Sequence, residues 1–362
     1  MGPTECWVIF DTCTRQLYYQ DVHNLLALPS GSILRYEYRK QRLSQGAIAA
    51  ANRWQKWDPV LLVYAQWHGY AKRDPDPTVV YPFAEMLWVP TRLATMRGLR
   101  TAPGDVFYFD LLLGAYPDVD DPAIMAILAD LYQLGDVPYL KWVATAEELP
   151  TTLDDVEDRW NKIIDRLGVA PSQFANDTFW RLQAQEPRIR GDKSAAYSYY
   201  VIHEPERLRL TASTYTPQKA TAQGALIPNR SLGIILPADS PVNSEQPLTV
   251  PLRPYTGQDL TFRANRSELL DDRVATMQLT TTPDDDGWAS GPNLNVRVEV
   301  RKRAWKLVAG TVLLLVGLLI GGDGVRQVLG ASTLMGFAAV VIGALAIAAG
   351  TLMLTGKLAL KI

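Results

Sequence analysis

Two long runs without a charged residue close the chain. From Leu307 to Gly322, and again from Ala331 to Gly356, no Asp, Glu, Lys or Arg occurs. A bilayer core about 30 Å thick needs roughly 20 apolar residues in helix. The second run meets that length alone. The first meets it by including Ala304, Trp305 and the stem of Lys306, with Trp and Lys as interface anchors. Asp323 to Gln327 reads as the turn between them. The pattern predicts a two-helix transmembrane hairpin over 304–362; a buried helical hairpin in a soluble core is disfavoured by the length of the second run.

Upstream the periodicity shortens. Cys6 to Phe10, Ser32 to Tyr38, Val60 to Gln66, Val79 to Val89 and Asp105 to Leu113 are apolar-aromatic runs of strand length. Within the second, Arg35, Glu37 and Arg39 alternate with Leu34, Tyr36 and Tyr38. Ser44 is placed to cap a short helix carrying Ala47, Ile48, Ala51 and Trp54. Residues 1–118 therefore read as an aromatic-rich β domain with added helices, a curved sheet or partly open barrel. Residues 119–190 read as helical. Asp121-Pro122 starts one helix, and Leu153, Val156, Trp160, Ile163, Ile164 and Leu167 form the face of a second with Gly168 as its C-cap. A third is expected from Ser172 to about Gln185. From 191 to 303 the chain turns rich in Thr and Pro. Leu208, Leu210 and Ala212 alternate with polar neighbours, as do Leu294, Val296, Val298 and Val300, which predicts an antiparallel β-sandwich. The fold class is thus multidomain, mainly β with α, ending in a transmembrane α-hairpin.

Charge then gives the hairpin a direction. Arg301, Lys302, Arg303 and Lys306 precede it and Lys357 and Lys361 follow, whereas its turn holds one Arg and one Asp. Basic flanks are retained on the cytoplasmic side. Met1 to Asp11 shows no basic region ahead of an apolar core, so no signal peptide is expected. The expected location is the inner, cytoplasmic membrane of a bacterium, with both termini in the cytoplasm. The sequons at Asn176, Asn229 and Asn265 are then chance matches. Cys6 and Cys13, seven apart on what reads as a strand, point to opposite faces and read as free, buried thiols.

Candidate chemistry is sparse. His23, His68 and His203 lie far apart, and no Walker loop, GxGxxG, GxSxG, HExxH or CxxC is present. Asp118, Asp120 and Asp121 lack the calcium-loop spacing and fit helix capping. No catalytic residue, metal site or cofactor is expected. A net charge of −2 gives no global pull towards nucleic acid. One local cluster interleaves cations with aromatics: Arg35, Tyr36, Tyr38, Arg39, Arg53, Trp54 and Trp57. Such a set suits a small ligand or, more weakly, a nucleotide or single-stranded nucleic acid; the plain alternative is a solvated strand face whose Arg stems cover tyrosines. In the hairpin, Gly310 and Gly317 are seven apart, as are Gly336, Gly343 and Gly350, and Gly321 follows Gly317 by four. Small residues on one face let helices approach closely. The seam either closes the hairpin on itself or leaves Ala339, Ala346 and Ala349 to meet further subunits. Two functions follow from this reading. One is a membrane-anchored, cytoplasm-facing sensor or effector that oligomerises through the hairpin and perturbs the membrane in a defence or stress role. The other is a membrane-tethered scaffold or binding protein whose hairpin is only an anchor. The expected partners are the lipid bilayer and either further copies of the chain or another protein.

Overall fold

The computed structural model describes residues 5–12, 16–67, 86–133, 140–143, 149, 155–169, 174, 177–184, 189–191, 198–204, 206–218, 230–252, 257–265, 273–282, 294–301, 304–330 and 334–354. In chain order its first part comprises β1 (Cys6–Thr12), α1 (Gln16–Ala27), β2 (Ile33–Arg39), α2 (Gln45–Ala51), β3 (Pro59–Trp67), β4 (Met86–Ala102), β5 (Val106–Leu113), α3 (Pro122–Gln133), β6 (Leu140–Val143) and α4 (Val156–Val169). The second comprises β7 (Phe179–Ala184), β8 (Ile189–Gly191), β9 (Ser198–His203), β10 (Arg207–Tyr215), β11 (Arg230–Ile235), β12 (Val242–Ser244), β13 (Thr249–Leu252), β14 (Gln258–Ala264), β15 (Arg273–Thr282) and β16 (Leu294–Arg301). Two helices close the chain, α5 (Ala304–Gly330) and α6 (Leu334–Leu354).

The first sheet runs β2-β5-β4-β3-β1-β6. It is mixed: β1 lies parallel to β3 and antiparallel to β6. Its central strands are apolar at successive positions because both faces are covered. Trp7, Ile9, Val60 and Leu62 meet Ala47 and Ala50 of α2 on one side. Cys6, Val8, Phe10, Leu61 and Val63 meet Ile124, Ile127, Leu128 and Leu131 of α3 on the other. The expected curved sheet or partial barrel is therefore an open sheet between helices. The continuous runs in β1 and β3 carried that signal. β4 is long and central yet contains Pro90, which is accommodated where the β3 register shifts between Leu62 and Val63. Ser44 caps α2 as expected, accepting from Ala47 N at 3.0 Å. Asp121 accepts from Ala123 N at 2.8 Å at the start of α3.

The second part is a sandwich of two sheets, β12-β14-β10-β7 and β13-β11-β15-β16-β9-β8. Leu208, Leu210, Leu260 and Phe262 from the first face Met277, Leu279, Val296 and Val298 from the second. Its pairing is antiparallel except that β9 runs parallel to β16. The helix expected from Ser172 to Gln185 is absent where the chain is described. Phe179 and Leu182 fit a helical spacing, but residues 179–184 form β7, pair with β10, and bury Phe179 to Leu182 in succession. β6, from the region read as helical, joins the first sheet. Gly168 lies within α4 rather than capping it; a side chain there would collide with Pro217.

The helix α1 was not read from the sequence, and it organises the interior. Its residues enter three cores: Leu25 that of the first sheet, Ala27 that of the sandwich, and Val22 and Leu26 a third shared with Trp160, Ile163, Ile164 and Leu167 of α4 and Phe179 of β7. Its last carbonyls are bound by buried donors. Arg92, wholly buried, donates from Nη1 to Leu25 O at 3.2 Å and to Leu28 O at 2.9 Å. It also donates from Nε to Gly114 O at 2.8 Å and from Nη2 to Ser30 Oγ at 3.2 Å. Its guanidinium lies 3.8 Å from the Tyr116 ring centroid. Tyr116 and Trp160 both donate to Leu26 O, at 2.5 and 3.2 Å.

Helix α5 continues through Asp323 to Gln327, the segment expected to turn. Among the described residues no helix is long and apolar enough to cross a membrane. The two helices pack on each other as the expected hairpin, but the structure does not support the transmembrane character expected of it.

Replacing Arg92 by Met leaves the Gly114, Leu25 and Leu28 carbonyls without this donor. Each buried unsatisfied acceptor costs about 1–3 kcal/mol, so a loss of roughly 3–5 kcal/mol is expected from denaturant titration. Hydrogen exchange should show lost protection concentrated in Gln16–Ala27. Uniform loss across the chain would mean that Arg92 has no special hold on α1.

Candidate functional site

The seven residues of the cation-aromatic cluster do not meet in one place, because strand alternation separates them. Tyr36 and Tyr38 point into the core: the Tyr36 hydroxyl donates to Asp11 Oδ2 at 2.6 Å and the Tyr38 hydroxyl to Phe10 O at 3.1 Å. Arg35 lies on the opposite face and grips Asp110 with two bonds of 2.6 and 3.1 Å, where Arg100 joins at 3.3 Å. Arg39 is exposed. Arg53 is exposed and pairs with Glu5 at 3.6 Å. Trp54 is half-buried against the first-sheet core. Trp57 alone stands out, 50 % exposed, with φ at 79° and the cations of Arg97 and Lys56 at 4.5 and 5.2 Å from its ring.

The site beneath Tyr36 has more chemistry than the sequence suggested. Asp11 lies near the carboxyl end of β1, where a parallel strand pair opens, and is almost fully buried. Burial drives its carboxyl well above the usual range; the neighbouring Asp21 of α1 pushes the same way, while the Tyr36 hydrogen bond opposes. Asp21 is itself pushed up to about 6 by burial. Burial and mutual repulsion thus act together to favour the protonated form of this pair of carboxyls. A carboxylate directly after the apolar run Cys6 to Phe10 was the one available signal for it.

Other reactive groups are quenched. Burial pushes the Cys6 thiol up to about 12, so little thiolate forms. Cys13 lies outside the described residues. His23 stacks on Phe179, with centroids 4.6 Å apart and planes 15° apart, and lies 3.3 Å from Asp177 Oδ2. His203 sits 3.5 Å from Glu206. Among the described residues no three His, Cys, Asp or Glu side chains are grouped to hold a metal.

The glycines of α5 and α6 face one another. A Cβ on Gly343 would stand 2.6 Å from Gly321 Cα and 2.7 Å from Gly317 O. One on Gly317 would stand 2.7 Å from Gly343 O and 2.8 Å from Ile347 N, and one on Gly350 would stand 2.7 Å from Gly310 O. No side chain fits at these distances, so the helix backbones touch. Gly336 lies in α6, but its surroundings fall outside the described residues. Outward, Val308, Leu315, Leu319, Ile342 and Leu345 are more than half exposed. Ala339, Ala346 and Ala349 are only half-buried, while Ala344 and Ala348 are open.

No protein-family model and no curated protein matches this chain.

The buried acid pair sets a pH response. Both carboxyls hold protons more tightly folded than unfolded, so their contribution is complete below the ordinary carboxylate range of about 4. It is lost as pH rises through about 6. The melting temperature should therefore be higher at about pH 5 than at about pH 7.5. Asp21→Asn should shrink that difference and stabilise the chain at the higher pH by about 1–2 kcal/mol. Parallel pH curves for variant and parent would contradict this account.

Proposed function

We propose that this chain is a membrane-tethered, cytoplasm-facing binding protein, in which α5 and α6 form the anchor and the sheets hold a ligand or partner. The observation that carries this reading is the division of labour on the hairpin: glycines line the seam and large apolar side chains point away from it. Apolar patches larger than a few hundred Å² are seldom left facing water. The two helices have 27 and 21 residues. At 1.5 Å per residue the shorter reaches about 30 Å, the thickness of a bilayer core. α6 carries no charge over its length, and Arg301, Lys302, Arg303, Lys357 and Lys361 flank the pair. Because β16 ends at Arg301 and α5 begins at Ala304, the sandwich would sit close to the membrane surface.

The seam favours a tether over an assembling effector. Gly310, Gly317, Gly321, Gly343 and Gly350 are used within one hairpin, so they are not the surface through which copies would join. The effector reading has one observation of its own, the open Ala344 and Ala348 one turn apart on α6.

Flotation with liposomes and mass in mild detergent separate these readings. Gly343→Leu should force the helices apart at a cost of about 3 kcal/mol or more, lowering the melting temperature, while the outward apolar side chains keep the protein in the floating fraction. Ala344→Leu with Ala348→Leu should float as the parent does and leave its mass unchanged. A parent oligomer that this pair dissolves would establish the effector reading. A parent chain that does not float would end the membrane reading altogether.

A further inference from the structure

On the outer face of the β12-β14-β10-β7 sheet, a groove of about 390 Å³ is lined by Arg207, Arg209, Glu245, Asp259 and Thr261. That is within the size range of small-molecule sites, roughly 300–1,000 Å³. The antiparallel register sets Arg207 directly opposite Arg263 and Arg209 opposite Thr261. Like charges placed directly across a strand pair destabilise the sheet, so this arrangement needs a counter-charge. Only part of it is supplied. Glu245 binds Arg207 at 2.9 Å. Asp259 accepts from Thr211 Oγ1 at 2.8 Å. Among the described residues neither Arg209 nor Arg263 has an ion pair or a side-chain hydrogen bond.

We propose that this groove binds a phosphate group borne on a small polyol or sugar, with Arg209 and Arg207 of its lining as donors and Arg263, opposite Arg207 on the same face, reaching in from its rim. Guanidinium groups present paired N–H donors that match phosphate oxygens. Carried on hydrogen-bonded strands, their backbones are fixed at set positions on one face, so only the side chains have to order around the ligand. Thr261 lies among them with a hydroxyl to offer. Glu245 and Asp259 accept from the hydroxyls of the polyol, and they disfavour a ligand that is anionic throughout. The phosphate could belong to a free sugar phosphate or to a lipid headgroup. The inference names the ligand of the binding reading above and takes its biological role from it, but the chemistry of the groove does not depend on the anchor.

The test uses the full-length chain in an uncharged detergent. Calorimetry with glucose 6-phosphate and with dioctanoyl phosphatidylinositol 4-phosphate probes the two sources, with glucose and dioctanoyl phosphatidylinositol as controls lacking the phosphomonoester. At least one phosphate probe should bind, neither control should, and the stronger probe identifies the source. Arg209→Gln and Arg263→Gln should each weaken binding about tenfold or more, while Arg53→Gln, at an exposed site elsewhere, should not. In the absence of ligand, Arg263→Gln should melt no lower than the parent, because it removes the opposed charge; the phosphate probe should raise the melting temperature of the parent and not of this variant. Failure of both phosphate probes overturns the proposal, as does undiminished binding by either Arg209→Gln or Arg263→Gln, or a fall in melting temperature for Arg263→Gln. Flotation remains a separate readout, so loss of the groove chemistry and loss of the membrane reading give different results.

Discussion

The fold depends on how the end of one helix is bound. Helix α1 stops where three cores meet, and its terminal carbonyls would be buried without partners if the chain supplied none. An arginine, a tyrosine and a tryptophan from three different segments supply them. Arg92 is unusual in having four uncharged acceptors, with the Tyr116 ring against its plane. A buried cation is tolerated because all four oxygens replace the water that the guanidinium loses, and two of them, Leu25 O and Leu28 O, stand at the negative end of the helix. The same contacts fix α1 against β4, against Gly114 at the end of β5, and against α4. Removing any one donor would leave a hole in a junction that both sheets share.

That junction explains what the sequence concealed. Strands with clean alternation, such as β10 and β16, were legible because their apolar side chains point into the sandwich and their polar ones point away from it. The cap at Ser44 and the start at Asp121 were legible because capping is local chemistry. α1 was missed although Tyr18, Val22, Leu25 and Leu26 stand at helical spacing, and the sequence could not show that its residues divide among several cores. β7 was read as a helix because Phe179 and Leu182 satisfy either period when every side chain around them is buried. β1 and β3 were seen as strands, but their continuous apolar runs implied cover on both faces and hence helices on both sides. The cation-aromatic cluster failed for the opposite reason: proximity along a strand places neighbours on opposite faces, and only the tyrosines turn inward. The arginine groove joins β10 to β14, some fifty residues apart in the chain, so no local pattern pointed to it.

The hairpin and the sandwich use two different kinds of surface. In α5 and α6 the smallest residues are spent on backbone contact, and bulk is turned outward. In the sandwich the bulk is inside, and one outer face carries opposed cations. The first arrangement makes physical sense against an apolar medium, and the second in the presence of an anion.

The two surfaces also belong to opposite sheets of the sandwich. The groove lies on the sheet containing β10 and β14, whereas β16, which leads into α5, lies in the other. Between them stands a close-packed core of Leu, Val, Phe and Met side chains. Interiors of this density resist gradual deformation and carry a signal only through an element with two alternative arrangements. Nothing in the described sandwich offers such a pair of states. A ligand bound in the groove therefore has no such element through which to act upon the hairpin, which fits the tether proposed for α5 and α6 better than an effector.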